Sequence, residues 1–431
     1  MTKQGAKTVM PRLRFPEFRG APSWIEKTLG DEGEFLSPLT GKTAQHFGTG
    51  NAKYVTYMNV FANTFTDMAT LGVVDVTEGE SQNSIEPGDV LFTVSSETPE
   101  EVGMSSVVVD AAPNCYVNSF CAMFRFSGGK QPNLRFLGYA LRQPFARRHF
   151  VKRAQGSTRF NLSKPAFRSL PLALPIAAEQ QKIADCLTSL DEVIVAQGRK
   201  VEALKAHKRG LMQQLFPREG ETRPRLRFPE FRSAPEWKWM PLGGIAEIKL
   251  GKMLDSNKQE RGRLLPYVNN ISLRWNEVDT SDLPQMYFKE SELERYGLRA
   301  GDVLVCEGGE PGRSAVWDGR LPDLKFQKAI HRVRFHKPFV PKLLVLYLEA
   351  IAGSSAFESL FTGGGIKHLT GETFAKLAVP VMSLAEQQRI ADCLSSLDTR
   401  ITAETSQLAA LKTHKQGLMQ QLFPVPEAMG A

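Results

Sequence analysis

The densest collection of side chains able to bind an anion lies in one short stretch: Arg147, Arg148, His149, Lys152, Arg153, Arg159, Lys164 and Arg168, interleaved with Phe150, Phe160 and Phe167. Cations in such a run can neutralise successive phosphates while aromatic faces offer stacking surfaces, although the same run also suits the solvated face of a helix. Within it Arg153, Gln155, Ser157, Thr158 and Arg159 surround Gly156. A glycine there permits a positive-φ turn or the close approach of a partner to the backbone. A second glycine-marked stretch, Gly363-Gly364-Gly365-Ile366-Lys367-His368-Leu369, offers Lys367 and His368, and Lys42, Thr43 and Lys252 complete the candidate nucleic-acid contacts. The net charge of +8 and pI near 9.1 favour an anionic partner.

Spacings that would support catalysis fail on inspection. Ser37-Pro38-Leu39-Thr40-Gly41-Lys42-Thr43 resembles the end of a phosphate-binding loop, but Leu36 stands where the pattern G-x-x-x-x-G-K-T requires its first glycine. Glu307-Gly308-Gly309-Glu310-Pro311-Gly312 is acidic and reads as a turn. His207 and His414 recur at one helical position without other ligand types beside them, and five cysteines (Cys115, Cys121, Cys186, Cys306, Cys393) form no C-x-x-C pair, so they read as reduced thiols. No Asn-Pro-Pro-aromatic methylation motif and no nuclease carboxylate cluster is present. No catalytic residue and no metal ligand is assigned. No apolar run approaches the roughly 18 residues of a membrane span, and the N-terminus does not continue into a signal-like stretch, so a cytoplasmic location and no membrane partner are expected.

What must position the basic stretches is a scaffold written twice. Pro11–Trp24 returns 213 residues later as Pro224–Trp237 with 12 of 14 residues identical, and Ala178–Pro217 returns 207 residues later as Ala385–Pro424 with 27 of 40 identical. The longer repeat has a heptad seam: Ile183, Leu187, Leu190, Ile194, Val201, Leu204, Leu211 and Leu215 in the first copy, and Ile390, Leu394, Leu397, Ile401, Leu408, Leu411, Leu418 and Leu422 in the second. Gln197 and Lys208, like Glu404 and Lys415, interrupt both seams at matching places, which helps fix register. Each copy ends at Leu-Phe-Pro, where a proline stops the helix.

Between the copies lie diverged modules that share only a skeleton, such as Gly88-Asp89-Val90-Leu91 against Gly301-Asp302-Val303-Leu304 and Tyr54-Val55 against Tyr267-Val268. The expected organisation is a first module at 1–155, a first repeated helical region at 156–217, a linker with the repeated Leu-Arg-Phe-Pro-Glu-Phe-Arg segment at 218–237, a second module at 238–362, a second helical region at 363–424 and a tail at 425–431. The long helices are expected at about 178–216 and 385–423, each rising roughly 57 Å. The order module, helix, module, helix is closed most simply by antiparallel helices. The expected fold is α+β: two mixed α/β modules joined by two long antiparallel helices forming a coiled coil with pseudo-twofold symmetry.

The openings Leu13-Arg14-Phe15-Pro16-Glu17-Phe18 and Leu226-Arg227-Phe228-Pro229-Glu230-Phe231 are both duplicated in order, with the Gly-Asp-Val-Leu strands, the Ala-Glu-Gln-Gln helix starts at Ala178 and Ala385, and the Leu-Met-Gln-Gln-Leu-Phe-Pro endings. In these features the chain resembles the DNA-specificity subunit of type I restriction-modification systems over essentially its whole length. The resemblance implies two target-recognition domains reading a bipartite, asymmetric double-stranded DNA site, helices that set the spacer, and docking of two methylation subunits. Restriction subunits would join through the assembled complex. It further implies no cofactor on this chain, with S-adenosylmethionine, ATP and Mg on the partner subunits, and no catalysis by the chain itself. Competing expectations are a coiled-coil adaptor that never touches DNA and a degenerate nuclease or methyltransferase. The second recognition module is shorter by six residues, from the difference between the 213 and 207 offsets.

Overall fold

A computed structural model of the chain describes residues 7–129, 131–218, 220–253, 262–363 and 367–425. Residues 364–366 of the second glycine-marked stretch and 426–431 of the expected tail lie outside the described residues. The chain divides into two compact units, Met1–Gln197 with Gln407–Ala431, and Gly198–Ser406.

Ala177–Leu215 and Leu384–Leu422 are each one uninterrupted 39-residue helix, ending just before Phe216-Pro217 and Phe423-Pro424. Each helix gives its first half to one unit and its second half to the other. In the first unit Asp191 meets Lys415 at 2.5 Å, and Ile183 and Leu187 share an apolar cluster with Leu422 and Phe423, so the two helical segments run antiparallel. In the second unit Lys208 meets Asp398 at 2.6 Å, and Met212 and Leu215 pack with Ile390 and Leu394 in the same sense. The apolar seam positions from Ile183 to Leu215 and from Ile390 to Leu422 are buried or half-buried, while His207 and His414 are exposed.

The lysines that interrupt the seam are not idle. A buried ammonium is costly unless paired, and pairing it fixes one register over its neighbours. Lys208 also binds both oxygens of Glu349, at 2.7 and 2.8 Å, on the module helix Pro341–Ile351. Asp191, the partner of Lys415, accepts a 2.8 Å bond from the Tyr139 hydroxyl on the module helix Leu134–Leu141. In each unit one polar cluster thus ties the helix pair to the globular module.

Each module is built on a four-stranded antiparallel sheet with the same order. In the first unit the strands run Gly33–Leu36, Cys121–Phe126, Val90–Thr93, Ser105–Val107; in the second, Ala246–Leu250, Ile330–Phe335, Val303–Cys306, Ser314–Val316. A smaller mixed sheet flanks it, pairing Phe47–Val55 in parallel with Cys115–Val117, and Arg263–Val268 in parallel with Lys325–Phe326. The duplicated Gly-Asp-Val-Leu starts the second-last of the four sheet strands. Gly88 and Gly301 sit at φ +98° and +90°, where a side chain would strain the turn. Asp89 and Asp302 then accept a bond from the backbone N–H three residues earlier and hold the guanidiniums of Arg125 and Arg334 across the sheet.

The repeated openings close each module on its helix. Arg14 grips Glu179 through Nε and Nη2, at 2.8 and 2.6 Å, while Nη1 donates to the Ala21 carbonyl and Nη2 also to that of Pro22, and the Trp24 indole donates to the same carboxylate. Arg227, Ala234, Pro235, Trp237 and Glu386 repeat this arrangement. Gln180 and Gln387, next in the Ala-Glu-Gln-Gln starts, accept the backbone N–H of Asn133 and Val340 at the heads of the module helices. The Leu13 and Leu226 N–H groups donate to the Gln421 and Gln214 carbonyls, closing orphan acceptors at the helix C-termini.

Candidate nucleic-acid interface

The five candidates of the first basic stretch come together at one hairpin. Gln155 and Asn161 exchange backbone hydrogen bonds of 3.0 and 2.8 Å, leaving Ser157 and Thr158 exposed at the tip. Phe160–Asn161 pairs antiparallel with Ser95–Ser96, which docks the hairpin on the module. The Arg159 Nε donates to Ser95 Oγ at 2.8 Å, and its guanidinium lies 5.9 Å from the centre of the Phe120 ring. Arg153 donates to the His149 carbonyl at 3.2 Å and stays exposed. Arg148, Lys152, Lys164 and Arg168 of the same stretch are also exposed.

Other members of that stretch turn inward. His149 is buried with its Nε2 2.9 Å from the Ala166 carbonyl, and Arg147 donates to the carbonyls of Glu100 and Val102, burial holding its pKa below the ordinary arginine value. Phe150 and Phe167 are core residues packed on Phe92, so they offer no stacking surface. Two of the three interleaved aromatics are therefore core packing, while Phe160 is half-exposed on the hairpin, and the exposed cations around them form the surface.

Lys367 and His368 occupy the corresponding hairpin of the second module. Thr362 and His368 exchange backbone bonds of 2.8 and 2.9 Å, 207 residues beyond Gln155 and Asn161, the offset that relates the long helices. His368 also pairs with Gly308, so this hairpin docks beside the Glu307–Gly312 turn. The Lys367 ammonium rests 2.9 Å from Glu358, both groups about half exposed. An exposed pair of this kind is worth little and yields readily to phosphate.

Lys42, Thr43 and Lys252 lie in other loops. The Lys42 side chain, only 4% exposed, is held by Glu80 at 2.6 Å, and hydrogen bonds from Lys42, Gln82 and Thr77 hold that carboxyl down at about 2. Thr43 and His46 cap one short turn. Lys252 donates to the Tyr287 carbonyl and Glu292 and lies over the Phe288 ring at 5.0 Å. The geometry makes these two lysines internal struts.

Sequence reasoning overlooked the strand Ser95–Ser96, the supporting Tyr57 whose hydroxyl donates to the Ser95 carbonyl, and Phe120. All three join the site through pairing across long sequence separations. Among the described residues no group of three or more His, Cys, Asp or Glu side chains is arranged to hold a metal ion, and no helix is long and apolar enough to cross a membrane. A cavity of about 720 Å³ in the second unit is lined largely by apolar groups such as Met212, Phe216, Trp239 and Phe357.

The family model described as type I restriction modification DNA specificity domain matches the chain twice, over residues 23–205 and 235–413. The MjaVIII specificity subunit of a type I restriction enzyme from Methanocaldococcus jannaschii is 23% identical over 274 residues, 61% of this chain and 63% of that protein, so the chain spans somewhat less than two thirds of that relative. The EcoKI specificity subunit of Escherichia coli K12 is 23% identical over 362 residues, 80% of this chain and 75% of that one. The crystal structure of a type I restriction-modification S subunit from M. genitalium matches with a TM-score of 0.54 at 15% identity, covering 96% of this chain and 99% of that one. A chain from a structure addressing assembly and conformational transition of the type I system matches with 0.61 at 16% identity, covering 93% and 97%. The solved structures share the fold, and the twofold match of the family model spans most of the sequence: the chain belongs to the type I restriction-modification DNA specificity family.

Proposed function

We propose that this chain is the non-catalytic specificity subunit of a type I complex, each module reading one half of a bipartite, asymmetric double-stranded DNA site. The observation that carries this reading is the pair of corresponding hairpins, Gln155–Asn161 and Thr362–His368, held on one duplicated skeleton while their exposed residues differ. A shared frame carrying unlike residues, Ser157, Thr158 and Arg159 in one module and Lys367 and His368 in the other, suits two unlike half-sites. Exposed arginines and lysines beside the tips set the register on phosphate, and tip side chains read base edges. Arg153, Gln155, Ser157, Thr158, Arg159, Lys367 and His368 are the proposed contacts; Lys42 and Lys252 support their loops, with Thr43 capping a turn.

Each long helix is a single rod, rising about 58 Å at 1.5 Å per residue, and its length sets the spacer between half-sites. Two copies of a methylation subunit dock on the duplicated helical scaffold, and restriction subunits join the assembled complex. S-adenosylmethionine, ATP and Mg belong to those partners. The target base is flipped into a methylation-subunit pocket, since a base must leave the stack to be modified.

The test is filter binding of labelled duplex by the chain assembled with its methylation subunits, across a salt series. Tight binding to one sequence, weakening with salt, is expected. An assembled complex that held no duplex better than any other would leave the adaptor role.

A further inference from the structure

Phe120 stands on the tight turn between the strands Cys115–Val117 and Cys121–Phe126. The turn is fixed: Asn118 Oδ1 accepts the Phe120 N–H at 2.8 Å, the Cys121 N–H donates to the Asn118 carbonyl, and the Phe120 carbonyl accepts from Val94. The residue is 55% exposed. A large apolar side chain more than half exposed on a fixed turn stands open to contact with a partner, and its place gives that exposure its meaning. Its neighbour is the proposed DNA-contacting Arg159, 5.9 Å over the ring and anchored on Ser95. The second module differs at this place. The residue preceding its matching strand, Ile330–Phe335, is Ala329, at φ +82°.

Resting on the DNA-reading function proposed above, we infer that Phe120 is a specificity-determining residue of the first module, contacting the C5-methyl group of a thymine in its half-site. The chemistry follows from what the major groove displays. Base edges there carry donors and acceptors with one apolar group among them, the thymine methyl, and a phenyl edge can pair with that group alone. Arg159 lies over the ring where it can also reach a phosphate or an acceptor on a neighbouring base, so the two side chains act as one reading unit. Ala329 cannot reach as far, and the second module reads its half-site without this contact.

The experiment uses the chain assembled with its methylation subunits and duplexes of its own methylated sequence in which uracil replaces each thymine in turn, removing one methyl group and nothing else. For the wild type, one replacement in the first half-site is expected to weaken binding about fourfold, the equivalent of roughly 0.8 kcal/mol for one buried methyl-sized group. Phe120→Ala should bind the thymine and uracil duplexes alike while unfolding at the wild-type temperature. If the alanine variant does not assemble, Phe120→Gln carries the same expectation with a side chain suited to an exposed turn. Arg159→Ala is the control on the underlying reading, expected to lower the salt slope by about one unit for a phosphate contact or to affect one base pair for a base contact. Weakened binding by Arg159→Ala beside a Phe120→Ala variant that keeps the wild-type uracil profile overturns the methyl contact and leaves the DNA-reading face standing. A Phe120→Ala loss equal on thymine and uracil duplexes overturns it as well. If neither variant changes binding to any duplex, the face and the contact fall together.

Discussion

At the scale of single residues, the duplicated motifs are explained by a few polar groups with fixed partners. The two glutamates of the Ala-Glu-Gln-Gln starts each gather an arginine and an indole, and the two aspartates of the Gly-Asp turns each gather an arginine across the sheet. Two histidines mark the modules in another way. His149 and His331 are buried, and each has Nε2 against a carbonyl, Ala166 at 2.9 Å and Leu369 at 2.7 Å. A carbonyl only accepts, so Nε2 carries the proton, and Nδ1 of both rings has no hydrogen-bond partner among the described residues. A second proton would be buried without an acceptor, and burial lowers both pKa values from the ordinary value of 6.5. The unfolded chain therefore binds protons in the window just below about pH 6.5 that the folded chain refuses. Stability should be full above that pH and decline as the pH falls through it. Replacing both by glutamine, which keeps a donor for the carbonyl and removes the titration, should flatten the decline in urea unfolding between about pH 7 and 5. An unchanged slope would place the acid sensitivity elsewhere.

At the scale of elements, the joint between opening segment and helix start governs whether a module stays on its helix. Glu179 and Glu386 are each 1% exposed beside arginines 6% and 10% exposed. Removing one partner of a buried pair strands the other, at a cost of about 3 to 5 kcal/mol. Glu386→Ala should destabilise the second unit by that order in denaturant unfolding, and Glu386→Gln, which keeps an acceptor, by less; a loss below about 1 kcal/mol would show the joint to be ornamental. Elements differed in how far they could be read ahead. The long helices were legible because a heptad seam is local information, repeated every few residues and closed by a proline after each Phe. The duplication likewise exposed two equivalent modules. The hairpin candidates could be named from Gly156 and the cations around it, but Ser96 and Ser95 of the partner strand lie 64 and 66 residues before their pairing residues Phe160 and Asn161, and no local pattern announces that register. Nor does composition separate Lys367, in an exposed pair, from Lys42, whose ammonium is enclosed against Glu80. Nothing in the sequence sets Phe120 apart from the core phenylalanines; the turn around it leaves it in solvent.

At the scale of the whole molecule, the proposed function assigns specificity to two equivalent units with unlike hairpins and spacing to two uninterrupted 39-residue helices, so the two properties should be separable. Inserting one heptad after Gln197 and after Glu404 preserves the seam and adds roughly 10 Å, about three base pairs. The recognised half-sequences should survive while the gap between them lengthens, as read by mapping modified adenines; an active variant with an unchanged gap would remove the helices from spacer selection. The most direct measurement of the central claim is the same mapping for the unaltered chain, in DNA from a host carrying it with its methylation subunits. The expected result is one bipartite, non-palindromic motif whose half-sites, about three to five base pairs each, lie about one helical turn apart. A single uninterrupted or palindromic motif would contradict two unlike modules reading one site.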